Sequence, residues 1–398
     1  MRPLQLYIHV PFCEKKCHYC DFASWESPAV TQKKWLDVAL REIEHAGFAG
    51  RGPFAGAKVS TIFFGGGTPS VVPTRYLEQL LDKLREHFDL SSVDEMTLEA
   101  NPSSLTHDKL QTWRKLGFHR VSVGVQSFHQ DELTLLGRVH TPETAEAALE
   151  LLSSEASSSG LRYSADLIFG LPGQTPERFF SNLERLLRYN PDHISFYGLT
   201  IEEGTKFDEL HKAGRLVLPE GDLYQEMYEG GVALLAQQGL RRYEVSNFAR
   251  AGQECRHNQG YWNGAAWLAF GPGAHGFDGN RRWMNPRQLE EYLAWGDAGF
   301  PDAAREWDDL DETARLTEAV SLGLRQARGF SLVEVERAFG ATWDDAVFAR
   351  FESADYLKRE DGCVRLLDKG WPLLDEIAAD LLARATVATV TPRQSTSA

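Results

Sequence analysis

Alternation constrains this chain more than any other feature. Over its first half, short runs rich in β-branched and aromatic residues are each followed by a helical pattern. The runs Leu4–Val10, Val59–Phe64, Glu95–Ala100, Arg120–Val125, Tyr163–Ile168 and His193–Leu199 read as strands. Between them, Thr31–Ala46, Thr74–His87, Thr106–Leu116, Pro142–Ser154 and Pro176–Arg188 read as helices. In the first helix Trp35, Leu36, Ala39, Leu40 and Ile43 form one apolar stripe at helical spacing. Strand-then-helix repetition predicts parallel strands joined by right-handed crossovers. Six such strands make an open sheet or an incomplete (β/α)6, TIM-like barrel. Both architectures hold ligands at the C-terminal ends of the strands.

Residues that can carry chemistry fall at those ends. After the first strand come Cys13, Cys17 and Cys20, spaced Cys-x3-Cys-x2-Cys. A short loop with that spacing can turn three thiolates towards one centre. Iron–sulfur clusters are held by thiolates, and three ligands on a four-iron cubane leave one iron open for chemistry. Gly65-Gly66-Gly67-Thr68-Pro69 follows the second strand, and Glu99-Ala100-Asn101-Pro102 closes the third. Gln126-Ser127-Phe128 follows the fourth, and Asp166 lies in the fifth ahead of Gly170-Leu171-Pro172-Gly173. Five features on one rim point to one site.

The 398 residues suffice for two or three domains with a large core. A formal net charge of -15 argues against a general nucleic-acid binder, which needs a basic surface. Beside the three clustered cysteines there are only Cys255 and Cys363. That is too few for a disulfide scaffold and suits a reducing compartment. The first residues lack a signal-peptide pattern, and no apolar run approaches the roughly 18 residues of a membrane span. A cytoplasmic protein without a transmembrane segment is the expectation. The regular alternation weakens after Thr200. We expect a barrel core over residues 1–240, ending in a long helix (Pro219–Gln238), and a Gly- and aromatic-rich linking region over 241–307. A helix-rich C-terminal domain should span 308–385 and a disordered tail 386–398. The Ser-rich stretch Ser153–Gly160 reads as a loop.

The cysteine loop followed by the glycine loop resembles the radical S-adenosylmethionine (SAM) superfamily. More narrowly, the chain is similar to the branch holding oxygen-independent coproporphyrinogen III oxidase and the heme chaperone HemW subfamily. The likeness rests on Tyr7-Ile8-His9-Val10-Pro11-Phe12-Cys13, Phe63 to Ser70, Gly124 to Phe128, Leu136-Gly137-Arg138 and Asp166 to Pro172. It implies a partial barrel of the radical SAM type with a smaller, mainly α-helical, winged-helix-like C-terminal domain. It also implies a [4Fe–4S] cluster on Cys13, Cys17 and Cys20, with SAM on the fourth iron. Gly66, Gly67 and Thr68 would meet the methionine part of SAM. Tyr7, Tyr19, Glu99, Gln126, Arg138 and Asp166 match SAM-contacting positions of the family.

Two features bear on function within the branch. Where the oxidase carries a further cysteine, two residues after the third, this chain has Phe22. The run His257-Asn258-Gln259-Gly260-Tyr261-Trp262 is a hallmark of the chaperone subfamily, linked there to heme. The resemblance therefore implies a protein that binds heme and passes it to acceptor proteins such as respiratory enzymes. The alternative is an enzyme: oxidative decarboxylation of coproporphyrinogen III to protoporphyrinogen IX.

Each residue also has a plainer reading. The three cysteines could hold structural zinc with His18 or Cys255. The glycine loop could be a tight strand-to-helix turn; without a following Gly-Lys-Ser/Thr it is no Walker loop. Glu99, Gln126 and Asp166 could satisfy loop backbone, and Arg138 could pair with a surface acid. His257 could be a heme ligand, with Cys255 as the alternative, or a hydrogen-bonded structural residue in a turn packed by Tyr261 and Trp262. Cys363 reads as a small core residue. The stripe Trp262, Trp267 and Phe270 could line a porphyrin or simply pack a core.

Overall fold

A computed structural model describes residues 4–48, 54 and 57–387. All six expected strands form. The chain runs through β1 (Leu4–Val10), α1 (Ala29–Phe48), β2 (Val59–Gly66), α2 (Thr74–His87), β3 (Glu95–Ala100) and α3 (His107–Leu116). It continues through β4 (Arg120–Gln126), α4 (Gln130–Leu136), α5 (Pro142–Ser159), β5 (Arg162–Phe169), α6 (Pro176–Leu187) and β6 (His193–Gly198). Each strand from β1 to β6 pairs in parallel with the next. Threonines start three of the crossover helices: the side chains of Thr106, Thr141 and Thr175 accept from the backbone N–H three residues on.

Strand alternation sorts side chains onto two faces. One set, including Leu6, Ile8, Ile62, Phe64, Val121, Val123, Leu167 and Phe196, packs with the helices in a single core. The stripe Leu77, Leu80, Leu81 and Leu84 of α2 belongs to it. Each such leucine contributes about 1.5–3 kcal/mol by leaving water. The other face is polar yet buried: Gln5, Thr61, Glu95, Thr97, Arg120, Ser122, Ser164, His193 and Ser195. Register sets Thr61 beside Glu95, Thr97 beside Arg120, and Ser164 between Ser122 and His193. A flat sheet would leave such a face wet. Here it is enclosed because the sheet curls, so that residues from the ends of β2 to β6 meet around one cavity.

The Ser-rich stretch is not a loop. It is the last turns of α5, where Ser157 and Ser159 hydroxyls donate to the carbonyls of Ser153 and Glu155. Gly160, at φ +72°, stops the helix. Serine content suggested a loop, but back-bonding within the helix satisfies those hydroxyls.

After β6 come α7 (Lys206–Lys212), α8 (Gly221–Gln237), β7 (Arg241–Arg242), β8 (Asn247–Ala249), α9 (Arg256–Trp262) and β9 (Ala266–Phe270). They are followed by β10 (His275–Phe277), β11 (Arg281–Met284), α10 (Leu289–Asp297) and β12 (Glu306–Asp309). These strands extend one twelve-stranded sheet, in the order β12-β11-β10-β9-β1-β2-β3-β4-β5-β6-β8-β7. The region expected to link two domains therefore mostly widens the sheet at both edges. By compactness the chain divides into Met1–Arg241 with Ser246–Tyr261 and Ala265–Asp308, and a second unit of Arg242–Val245, Trp262–Gly264 and Asp309–Ala398.

The second unit holds α11 (Glu312–Leu324), β13 (Phe330–Ser331), α12 (Leu332–Phe339), β14 (Ala341–Thr342), α13 (Asp345–Ser353), β15 (Leu357–Glu360), β16 (Cys363–Leu366), α14 (Leu374–Ala383) and β17 (Thr386–Val387). Three helices followed by the β15–β16 hairpin give the expected winged-helix-like order. Val320, Leu324, Phe348, Val364, Trp371 and Leu381 lie in its core. Cys363, expected in that core, is half-buried on β16. Thr386 and Val387, expected in a disordered tail, pair with β14; the rest of that tail, 388–398, lies outside the described residues.

Candidate functional site

The loop after β1 and the ends of β2 to β6 enclose a cavity of about 430 Å³. Cys13, Cys17, Cys20 and Tyr19 line it from the loop. Gly66, Gly67, Thr68, Glu99, Gln126, Arg138 and Asp166 line it from the strand ends. Tyr7 and His257, also expected at the site, are not among its walls.

The glycine loop is held against the cysteine loop by backbone bonds. Gly67 N–H donates to Val10 O at 2.9 Å and Thr68 N–H to Phe12 O at 2.7 Å. A Cβ on Gly67 would stand 2.7 Å from Phe12 O, so only glycine allows this approach. Gly66 takes φ +103° and gives its N–H to Glu99 Oε2 at 3.1 Å. The Thr68 hydroxyl faces Cys13 Sγ at 3.5 Å. Burial raises the thiol pKa of Cys13, and that of Cys20 to about 11. At neutral pH these thiols keep their protons until a metal displaces them.

Two carboxyls face each other's field across the cavity. Burial, then the charge of Asp166, lifts Glu99 to about 8. Burial lifts Asp166 to about 6, opposed by hydroxyls of Ser195, Ser122 and Ser164. Those serines come from β6, β4 and β5 at the level of Asp166, where Asp166 pairs in register with Gly124 and Ser195. Arg138 reaches the same cavity from the turn after α4. Its guanidinium donates to Asn101 Oδ1 at 2.6 Å and Gly124 O at 2.8 Å, and faces Cys17 Sγ at 3.5 Å. Its Nε is buried without a partner. Gln126 sits at φ +66° on a register shift of β4, a left-handed conformation uncommon outside glycine.

Asn101 was missed as a site residue, though it bridges Thr68 Oγ1 at 3.3 Å and Arg138. Its position two residues after Glu99, at a strand end, was the available signal. The serines around Asp166 were missed as well. Their signal is a polar residue at alternate positions in three successive strands.

His257 lies elsewhere. It is 1% exposed on α9, stacked on Phe63 with ring centroids 5.1 Å apart. Its Nδ1 meets Thr61 Oγ1 at 2.7 Å and its Nε2 the Tyr261 hydroxyl at 2.9 Å. Burial lowers it to about 3, so the imidazole is neutral. Both nitrogens are thus engaged within the chain. Cys255 is buried, with Sγ 3.4 Å from Glu95 Oε1, and is not among the walls of the cavity that Cys13, Cys17 and Cys20 line. Trp267 and Phe270 are buried strand residues. Tyr7 bonds His9 Nδ1 at 3.2 Å and backs the Glu99 side of the cavity, where burial, then Glu99, raises its pKa.

The donor set fits an iron–sulfur cluster with a charged small ligand. Three thiols share one wall, a glycine turn admits no Cβ, and an arginine keeps a buried donor unused. When bound, such a cluster supplies an electron-transfer centre with one iron open to SAM.

Residues 7–196 match the Radical SAM superfamily, and residues 310–373 the HemN C-terminal domain. The chain is 38% identical over 345 residues to heme chaperone HemW of Mycobacterium tuberculosis (strain ATCC 25618 / H37Rv), covering 85% of each. To that of Bacillus subtilis (strain 168) it is 35% identical over 341 residues, covering 85% of this chain and 87% of the relative. Among solved structures, coproporphyrinogen III oxidase (HemN) from Escherichia coli matches with TM-score 0.79 at 25% identity, over 96% of this chain and 90% of that one. The fold of the oxidase and the sequence of the chaperones meet in one molecule: this chain belongs to the heme chaperone HemW family of the radical SAM superfamily.

Proposed function

We propose that the protein is a cytoplasmic heme chaperone that holds a [4Fe–4S] cluster and SAM, binds heme and delivers it to acceptor proteins such as respiratory enzymes. The observation that carries this reading is sequence identity of 38% with a heme chaperone over 85% of both chains. Phe22, in place of the oxidase's further cysteine, supports it. Among the described residues no helix is long and apolar enough to cross a membrane.

Cys13, Cys17 and Cys20 hold the cluster in this reading. Gly66, Gly67 and Thr68 bind SAM's methionine part through backbone and hydroxyl. Arg138 answers its carboxylate, and Glu99 and Asp166 answer its cationic and hydroxyl groups. Gln126 and Tyr19 complete the walls, and Tyr7 supports Glu99 from behind.

One anaerobically reconstituted preparation tests the reading in two assays. Hemin titration should saturate, and coproporphyrinogen III should remain unconverted. Sustained formation of protoporphyrinogen IX would turn the assignment to the oxidase, with which the chain shares its scaffold.

A further inference from the structure

The cysteine loop closes by turning back on the end of β1. Trp25 N–H donates to Pro11 O at 2.9 Å, and Cys13 N–H donates to Trp25 O at 3.1 Å, so that Phe12 and Trp25 pair in a short parallel bridge. Two residues before Trp25, Ala23 O meets His9 Nε2 at 2.8 Å. Ser24 is thereby held from both sides. Phe12 and Trp25 pack with the core. Side chains alternate along extended chain, so the neighbours Cys13 and Ser24 turn the other way, and both line the cavity.

Ser24 is 1% exposed, and its hydroxyl makes no hydrogen bond among the described residues. A hydroxyl buried in that state has given up water and received nothing in exchange. On the cavity wall the described residues hold two such buried polar side-chain atoms, Ser24 Oγ and Arg138 Nε. Each belongs to a residue beside a cysteine. Arg138 faces Cys17 Sγ at 3.5 Å. Ser24 stands near enough to Cys13 to oppose, with Thr68, the rise that burial imposes on its thiol.

A neutral thiol is a weak acceptor, whereas a thiolate draws a donor strongly. The acceptor suited to the idle hydroxyl is thus the Cys13 sulfur in the thiolate form that binds iron. Thr68 Oγ1 reaches the same sulfur at 3.5 Å but also accepts from Asn101 Nδ2 at 3.3 Å. Ser24 has no second engagement. One-electron reduction of a cluster adds negative charge that its sulfurs share. A donor to one of them therefore favours the reduced state, and hydrogen bonds to the sulfurs are among the levers that set cluster potentials.

We propose that Ser24 is a positioning residue for the iron–sulfur cluster, whose hydroxyl donates to the Cys13 sulfur and raises the reduction potential. This inference rests on the assignment of a [4Fe–4S] cluster to Cys13, Cys17 and Cys20, and is independent of heme.

The full chain is reconstituted anaerobically without SAM and titrated with dithionite in the presence of redox mediators, the reduced cluster being followed by electron paramagnetic resonance. Ser24→Ala should favour the oxidised cluster by about tenfold, which for one electron lowers the midpoint by about 59 mV. Ser24→Thr keeps the hydroxyl and should stay at the wild-type midpoint. Iron and sulfide per chain should match the wild type in both variants. A Ser24→Ala cluster with the wild-type midpoint overturns the inference, and so does a Ser24→Thr midpoint that falls as far as that of Ser24→Ala. If Ser24→Ala holds no cluster, Ser24→Thr decides. A cluster at the wild-type midpoint then supports the hydroxyl, and a lost cluster overturns it in favour of packing. A wild type that takes up no iron and sulfide overturns the cluster assignment itself.

Discussion

At the scale of single residues, the site depends on groups that are where they are only because something small or neutral is tolerated there. Gly67 is the clearest case. An alanine Cβ would meet backbone atoms of Val10 and Phe12, which cannot swing away as a side chain could. Gly67→Ala should push the glycine loop off the cysteine loop, at about 1–3 kcal/mol. The expected outcome is a lower melting temperature and less iron per chain after anaerobic reconstitution. Full iron occupancy in that variant would show that the two loops need not touch. Glu99 is the second case. Its folded pKa, about 8, lies above the ordinary value of 4.5 because the carboxyl is buried. Between those two values the unfolded chain is ionised while the folded one keeps its proton. The group's contribution to stability is thus complete below about 4.5 and declines as pH rises towards 8. Glu99→Gln removes the titration and can still accept from Gly66 N–H. In the cluster-free protein its melting temperature should therefore gain on the wild type steadily from pH 5 to pH 8. A constant difference across that range would mean that Glu99 is ionised in the folded state.

Elements show which parts of the fold could be read in advance. The six parallel strands and their crossover helices were legible because each buries one face, and burial writes a period of 2 or 3.6 into the sequence. The end of α5 was not, since its serines satisfy themselves inside the helix where composition favoured a loop. β7 to β12 were not either. They are two to five residues long, too short to show a period. The rim of the site was legible because ligand-binding residues gather at strand ends. The surroundings of His257 were not legible, because its motif lies on a short helix whose packing no local pattern reveals. That helix, α9, puts His257 between Thr61 of β2 and Tyr261, while Glu95 of β3 accepts the His257 N–H at 3.0 Å. Replacing the imidazole would open a cavity and strand two hydroxyls in the barrel interior. His257→Ala should cost about 2–4 kcal/mol. Calorimetry should register that loss, and an unchanged melting temperature would show that neither hydroxyl needs the imidazole.

For the molecule as a whole, the notable contrast is between an acidic chain and a cavity in which burial raises the pKa of both carboxyls and keeps one of them, Glu99, largely protonated at neutral pH. Without a ligand, Glu99 is mostly protonated at pH 7 and Asp166 mostly ionised, given values of about 8 and 6. SAM carries a sulfonium and an ammonium. A cation brought to these carboxyls favours their charged forms. Binding should then expel a proton, chiefly from Glu99, and that couples the affinity of the cavity to pH. The sign follows: affinity should rise from pH 6 to pH 8 and level off above, where Glu99 has already ionised in the free protein. Mass action adds a second readout. A ligand present at a hundredfold excess over its dissociation constant stabilises the folded state by about 2.7 kcal/mol. The cavity draws on β2 to β6 and on the loop after β1, so this gain belongs to the unit that contains them. Titration calorimetry of SAM into the reconstituted protein, in buffers of differing ionisation enthalpy at pH 7, should report release of about one proton. In Glu99→Gln the release should fall to near zero and the affinity should become flat with pH. Binding that releases no proton from the wild type would place the cation of SAM away from Glu99 and Asp166.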